Sequence, residues 1–313
     1  MRQAVYDIID PPLPMLEAGG IDVDGTGQGV VVLRVPASRR KPHRHGVSKE
    51  VFYRRADETV RISMREVQEL TIQALNETTR VQSLITDRRT RFRKEAIQWL
   101  EANNKEAGNP RGAGIQYLAV PTVGMDLGRV VGNPKLTDLG SIVVATLPSK
   151  TVQLKWSHLP DTQWRPGLRS ISNVNKNSAT RRADYSLHSD GRCEVSCFFG
   201  LTAQVPFVAA GWLVGGLGVA LSWIDRIRKE SSAAGEYIVA CQLCVQGAPV
   251  NLMGYQDDNP DDFARLPAGH FELPLMSMGS SDDDDRLLQR FNEDIWNLAG
   301  EDVQFRSPKF TIP

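Results

Sequence analysis

Residues 34 to 55 read RVPASRRKPHRHGVSKEVFYRR, and their side chains suit one chemistry above others, the binding of phosphate. Arg39, Arg40, Lys41, Arg44, Lys49, Arg54 and Arg55 place cations along one short span. Each backbone phosphate that such cations neutralise adds salt-sensitive affinity, and arginines fork onto phosphate oxygens. Ser38 and His43 add hydrogen-bonding groups for a phosphate backbone. On an extended strand Val51, Tyr53 and Arg55 share one face and Phe52 and Arg54 the other. An aromatic ring, Tyr53 or Phe52, then stands beside cations, the arrangement on which single-stranded bases stack. The bland alternative is a solvated hairpin tip whose aromatics pack on the helix that follows. Nothing in the span is shaped to read base edges, so weak sequence preference is expected.

Other groups of reactive side chains carry less. Arg88, Arg89, Arg91, Arg93 and Lys94 form a second basic cluster, by default a solvated helix face, which extends the first surface if the two fold side by side. Cys193 and Cys197 share a strand face while Cys241 and Cys244 point to opposite faces, so buried core thiols are expected rather than a zinc knuckle. The histidines, His43, His45, His158, His188 and His270, have no metal-ligand spacing. GTGQG at Gly25 to Gly29 lacks the Lys and Ser/Thr of a phosphate loop, and a turn explains it. Asp282 to Asp285 read as the acidic start of a helix. No catalytic residue, cofactor or metal is expected.

The elements that must hold these groups follow from pattern. Residues 1–10 read as the end of a helix closed by Pro11 and Pro12; Met15 to Val23 and Gly29 to Val35 read as strands. KEVFYRR reads as a third strand, antiparallel to the second. Ser63-Met64-Arg65-Glu66 is a capping box, and helical spacing continues from Val67 to Leu100, so 63–103 is one long helix or two in series. Asn103 to Gly114 is the best linker. Residues 115–200 look strand-rich, with a hairpin in YSLHSDGRCEVSCFF whose Asp190-Gly191 suits a type I′ turn. Residues 207–228 form an apolar helix, EYIVACQLCVQG a strand, and Leu287 to Leu298 an amphipathic helix stopped by Gly300.

With 313 residues, 41% of them hydrophobic and 24% charged, the chain has apolar mass for a sizeable core in one large domain or two. Its 37 basic and 37 acidic residues cancel, so net charge names no partner. The distribution does: 16 basic face 7 acidic residues from Arg34 to Lys94, and 3 face 13 from Asp257 to Asp302. This suggests a basic working face and an acidic tail end, which in turn offers itself to the basic loop in an inhibited or oligomeric state. MRQAVYDIIDPPLP has no signal-peptide pattern, and four cysteines without one point to a reducing cytoplasm. FVAAGWLVGGLGVALSWI is about a membrane span long but holds four glycines, so a buried helix is expected and a membrane disfavoured.

The stretch GVVVLRVPASRRKPHRHGVSKEVFYRRADETVRISMREVQEL resembles the second half of the Schlafen-type AlbA-like domain of bacterial DNA-binding proteins. Val35, Ser38, Pro42 and His43 match the first part of its pattern, Phe52, Tyr53 and Arg54 its aromatic strand, and Thr59 and Glu66 its turn and helix start; Ala56 stands where the family usually has Gly. The resemblance covers roughly residues 5–75. It implies a module truncated at its N-terminal side, with an exposed sheet edge where strands are missing. It also implies nucleic-acid binding, with a transcriptional or phage-defence role. The carboxylates of Schlafen ribonucleases come from the half that this sequence does not contain, so a metal-dependent nuclease is the first rival reading. A structural or membrane-associated module built on 207–224 is the second. The expectation is therefore an α+β chain with a partial AlbA-like α/β module at 1–80, a helical connector at 81–105 and a strand-rich α+β domain at 106–313. Its partner would be DNA or RNA, with self-association open.

Overall fold

Residues 112–121, GAGIQYLAVP, are apolar at both odd and even positions, which a strand shows when both its faces are covered. That is how the computed structural model arranges them. It describes residues 8–12, 17–23, 29–35, 41–55, 58–103, 112–127, 134–137, 139, 142–147, 151–156, 163–178, 181–200, 207–231, 235–255, 263–301 and 308–312. The fold is α+β.

In chain order the first strands are β1 (Ile9–Asp10), β2 (Glu17–Asp22), β3 (Gly29–Arg34), β4 (Arg44–His45), β5 (Phe52–Arg55) and β6 (Glu58–Arg61). They pair as three two-stranded ribbons, β1 with β4, β2 with β3 and β5 with β6, all antiparallel. Two sequence expectations change here. Ile9 and Asp10 are a strand, not a helix end, because they pair with His45 and Arg44; residues 1–7 lie outside the described part. KEVFYRR does not pair with 29–35 among the described residues; its partner is β6, a strand in DETVR that was missed although Thr59 and Val60 favour one.

Helix α1 (Met64–Asn103) is one unbroken helix of 40 residues, about 60 Å long. It contains neither Gly nor Pro, and its start is the expected box: Glu66 accepts from the Ser63 N–H at 2.7 Å while Ser63 Oγ accepts from the Glu66 N–H at 3.3 Å. Its first half is tied to the chain ahead of β4 by the Lys41–Glu77 ion pair. Its second half, the stretch 81–105 read as a connector, covers the main sheet instead, burying Val81, Ile85, Phe92, Ala96 and Leu100.

The remaining elements are β7 (Gly112–Pro121), α2 (Pro134–Thr137), β8 (Ile142–Thr146), β9 (Thr151–Lys155), β10 (Arg165–Gly167), β11 (Ser170–Ser178), β12 (Arg181–His188), β13 (Cys193–Gly200) and β14 (Phe207–Ala209). They are followed by α3 (Ala210–Ser231), β15 (Tyr237–Gln246), β16 (Val250–Met253), β17 (Phe263–Leu266), β18 (Gly269–Glu272), β19 (Met276–Met278), α4 (Asp284–Leu298) and β20 (Lys309–Thr311). The main sheet is antiparallel in the order β10-β11-β12-β13-β7-β15-β18, with β19 also on β15. Helix α1 lies on one face. Helices α3 and α4 lie on the other, around Tyr117, Trp223 and Phe291. The linker read at 103–114 is shorter than expected, since Gly112 to Gly114 already belong to β7; residues 104–111 are outside the described part.

The turn between β12 and β13 is not type I′. His188 N–H donates to Arg192 O across a three-residue loop, Ser189 to Gly191, and of these only Gly191 takes positive φ, at 84°. That is a type I turn closed by a left-handed residue, for which Asp-Gly serves equally well. The apolar segment at 207–228 begins as a short strand and becomes α3, whose side chains are buried almost all round. No helix among the described residues is long and apolar enough to cross a membrane. The α3 glycines let the helix come close: Gly216 faces the rings of Trp156 and Tyr117, and the Tyr117 hydroxyl donates to Leu213 O.

The acidic run starts α4 as expected. The Asp283 carboxylate accepts from the Gly279 N–H at 2.9 Å, and Ser280 completes the box. Asp284 is buried, and its Oδ1 has no hydrogen-bond partner among the described residues. Burial and then the neighbouring Asp225 push its carboxyl from 3.8 up to about 8, against the pull of Arg228. Between those two values the folded chain keeps a proton that the unfolded chain has released, so this group lowers stability progressively as pH rises. Asp284→Asn removes the penalty. Thermal melts should show the variant gaining on the parent by several degrees between about pH 4 and about pH 8, with no further gain above. A gap that does not widen with pH would place the cost elsewhere.

Candidate nucleic-acid interface

A cation serves a phosphate only if its charge is not already engaged, so the partners of each basic side chain decide what the surface can do. Ser38, Arg39 and Arg40 lie outside the described residues. Lys41 Nζ meets Glu77 Oε1 of α1 at 3.1 Å, with 22% and 15% of the two side chains exposed, so it anchors the loop to the helix. His43 Nδ1 is 2.7 Å from Pro11 O and therefore carries the proton, while its buried Nε2 has no partner among the described residues. Arg44 directs Nε and Nη2 at Asp10 Oδ2, at 2.8 and 2.6 Å. That pair is about half exposed, at 48% and 47%. Exposed pairs of this kind contribute about 0–1 kcal/mol, so Arg44 is held to Asp10 only weakly.

Lys49 is exposed at a tight turn with φ 59°. The turn is closed by the Lys49 N–H donating to His45 O, and His45 Nδ1 accepts from the Ser48 N–H at 3.1 Å. Tyr53, Arg54 and Arg55 are placed by their backbone alone, opposite Val60, Thr59 and Glu58. Phe52, opposite Arg61, is exposed, and Arg61 pairs with Glu50 at 2.9 Å.

The second basic cluster divides by direction. Arg88 and Arg89 turn inward. Arg88 donates from Nε to Glu194 Oε2 at 2.8 Å and again from Nη2, and Arg89 pairs with Glu272 and donates to Leu273 O. Arg91, Arg93 and Lys94 remain exposed on the outer flank of α1.

Beneath Arg88 and Arg89 runs a polar row that sequence reasoning missed. Asp184, Ser196, Gln116, Gln242 and Glu272 lie directly opposite one another on five neighbouring strands. Gln242 donates to Gln116 Oε1, Gln116 donates to Glu194 Oε1, and His270 Nε2 sits 2.7 Å from Gln242 Oε1. The signal was one or two polar residues inside each apolar run: Gln116 in GIQYLAV, Glu194 and Ser196 in CEVSCFF, Gln242 in VACQLCV. Burial, and then Glu194, raises the Glu95 carboxyl nearby. Burial, and then Arg192, holds the His188 imidazole down at about 4, so it is neutral at physiological pH.

The cysteines are buried free thiols, with Cys193, Cys197 and Cys241 on the α3–α4 side and Cys244 against Phe92 and Phe198 under α1. Burial raises the thiol pKa of all four, which keeps them unreactive. Among the described residues no group of three or more His, Cys, Asp or Glu is placed to hold a metal ion.

No family model matches the chain, and neither a curated protein nor a solved structure matches it.

Proposed function

We propose that this chain binds nucleic acid through its phosphates, with little preference for base sequence. The observation that carries the reading is the outward set Arg91, Arg93 and Lys94. All three are exposed on a helix whose inward arginines are already committed to the sheet. Arg44, in an exposed pair with Asp10, and the exposed Lys49 add cations, and the exposed Phe52 ring adds a stacking surface. The Schlafen-type AlbA-like resemblance of residues 5–75 points the same way. Four free thiols suit a cytoplasmic setting for that role.

Fluorescence anisotropy with duplex DNA, single-stranded DNA and RNA across a salt series tests the proposal. The parent chain should lose affinity linearly on a log–log scale. Replacing Arg91, Arg93 and Lys94 together by Ala should make the slope for duplex shallower by about 0.9 for each phosphate no longer neutralised, hence roughly 2–3 in all. Arg44→Ala with Lys49→Ala should remove a smaller share. Superimposable curves for parent and triple variant would withdraw the helix surface from the interface.

A further inference from the structure

A cleft of about 210 Å³ opens where α1 first meets the main sheet. Val81 and Ile85 of α1 form one wall and Ile238 of β15 faces them, with Leu275 beside it, 45% exposed. Ser277 of β19 lies directly opposite Ile238, so both side chains project from the sheet face that α1 covers. An apolar cavity of roughly 150 Å³ holds benzene, so this space takes a body of one or two fused rings.

The polar groups of the cleft say what that body must carry. Thr78, Thr122 and Ser277 line it with hydroxyls, and a hydroxyl has one proton to donate and lone pairs with which to accept. All three protons are already spent inside the chain. Thr78 Oγ1 donates to Ala74 O at 3.0 Å, Thr122 Oγ1 donates to Glu236 O at 3.0 Å, and Ser277 Oγ donates to Glu236 Oε1. Their oxygens can therefore only accept. Ser277 is the best of these acceptors, because a hydroxyl that gives its proton to a carboxylate is polarised by it. Of the lining polar side chains only Gln82, on the exposed side of α1, keeps N–H groups to offer. A ligand presenting an acceptor to the floor of the cleft would set lone pair against lone pair. We infer that the cleft binds a small apolar ring system bearing an N–H or O–H, with that donor on the Ser277 hydroxyl oxygen and the rings between Val81, Ile85 and Ile238. Such a ligand touches helix and sheet at once and ties one to the other. The site stands apart from the phosphate-binding surface and does not depend on it.

Isothermal titration calorimetry of the full chain with two probes tests the inference. Indole supplies the N–H, and benzofuran has the same two-ring shape without it. Indole should bind, and benzofuran should bind about three- to tenfold more weakly, the worth of one net hydrogen bond. Ser277→Ala should bring indole down to the benzofuran value and leave benzofuran where it was. The second variant does not touch the buried hydroxyls. Gln82→Trp fills the cleft from an exposed position, so it should abolish the binding of both probes and keep the parent's far-UV circular dichroism. No uptake of indole by the parent up to its solubility, equal affinity for the two probes, an indole affinity unchanged by Ser277→Ala, or full binding retained in Gln82→Trp would each overturn the inference.

Discussion

Arg88→Ala lowers the unfolding free energy by about 3–5 kcal/mol, read from urea denaturation. Glu194 is 8% exposed and lies under α1, where Arg88 supplies its counter-charge through two hydrogen bonds. Gln116 and Ser196 donate to its other oxygen but are neutral. Without the guanidinium, a buried carboxylate remains with no compensating charge, and that, rather than the strength of the pair, sets the size of the loss. The double replacement Arg88→Leu with Glu194→Leu should therefore cost less than the single one, about 1–3 kcal/mol, mostly because Gln116 then lacks an acceptor. A double variant as unstable as Arg88→Ala would mean that the arginine acts by packing on the sheet and not through Glu194.

Two adjacent glycines of α3 should respond with opposite signs. A methyl group at Gly215 meets the Leu154 carbonyl oxygen at 3.5 Å, an ordinary contact, so Gly215→Ala gains up to about 1 kcal/mol of helix propensity. At Gly216 the same methyl would sit 2.6 Å from Trp156 Cζ3 and 2.7 Å from Tyr117 Cε2. Neither ring moves freely, since Trp156 donates to the Tyr185 hydroxyl at 2.6 Å and Tyr117 donates to Leu213 O. Overpacking there costs about 1–3 kcal/mol, outweighing the same propensity gain. Paired thermal melts check this, and two variants that shift together would show that α3 slides to accommodate either methyl.

Much of the architecture was legible because it is local. The capping box at Ser63, the apolar stripe of α1, the buried helix in the 207–228 segment and the two-faced cysteine pattern all depend on spacing along one segment. What failed depends on pairing. The partner of Phe52–Arg55 is decided by which strand lies beside it, and Glu58–Arg61 is only four residues long, too short for its alternation to register. The basic residues were visible, but their availability was not. Lys41, Arg44, Arg88 and Arg89 find carboxylates 34 to 183 residues away, and no reading of charge along the chain anticipates those pairs. Likewise Gln116, Gln242 and Glu194 form a network only because strand register sets them side by side.

The length of α1 has a mechanical consequence. It is clamped to the sheet from Val81 onward, and the span from Met64 to Val81 reaches roughly 25 Å further with no proline or glycine to bend it. A tilt of about 5° at the clamp sweeps the far end through about 2 Å. Glu77 lies only about 6 Å beyond the clamp, so the Lys41 ion pair holds the loop to the part of the overhang that such a tilt moves least, while the turn at Met64 moves most.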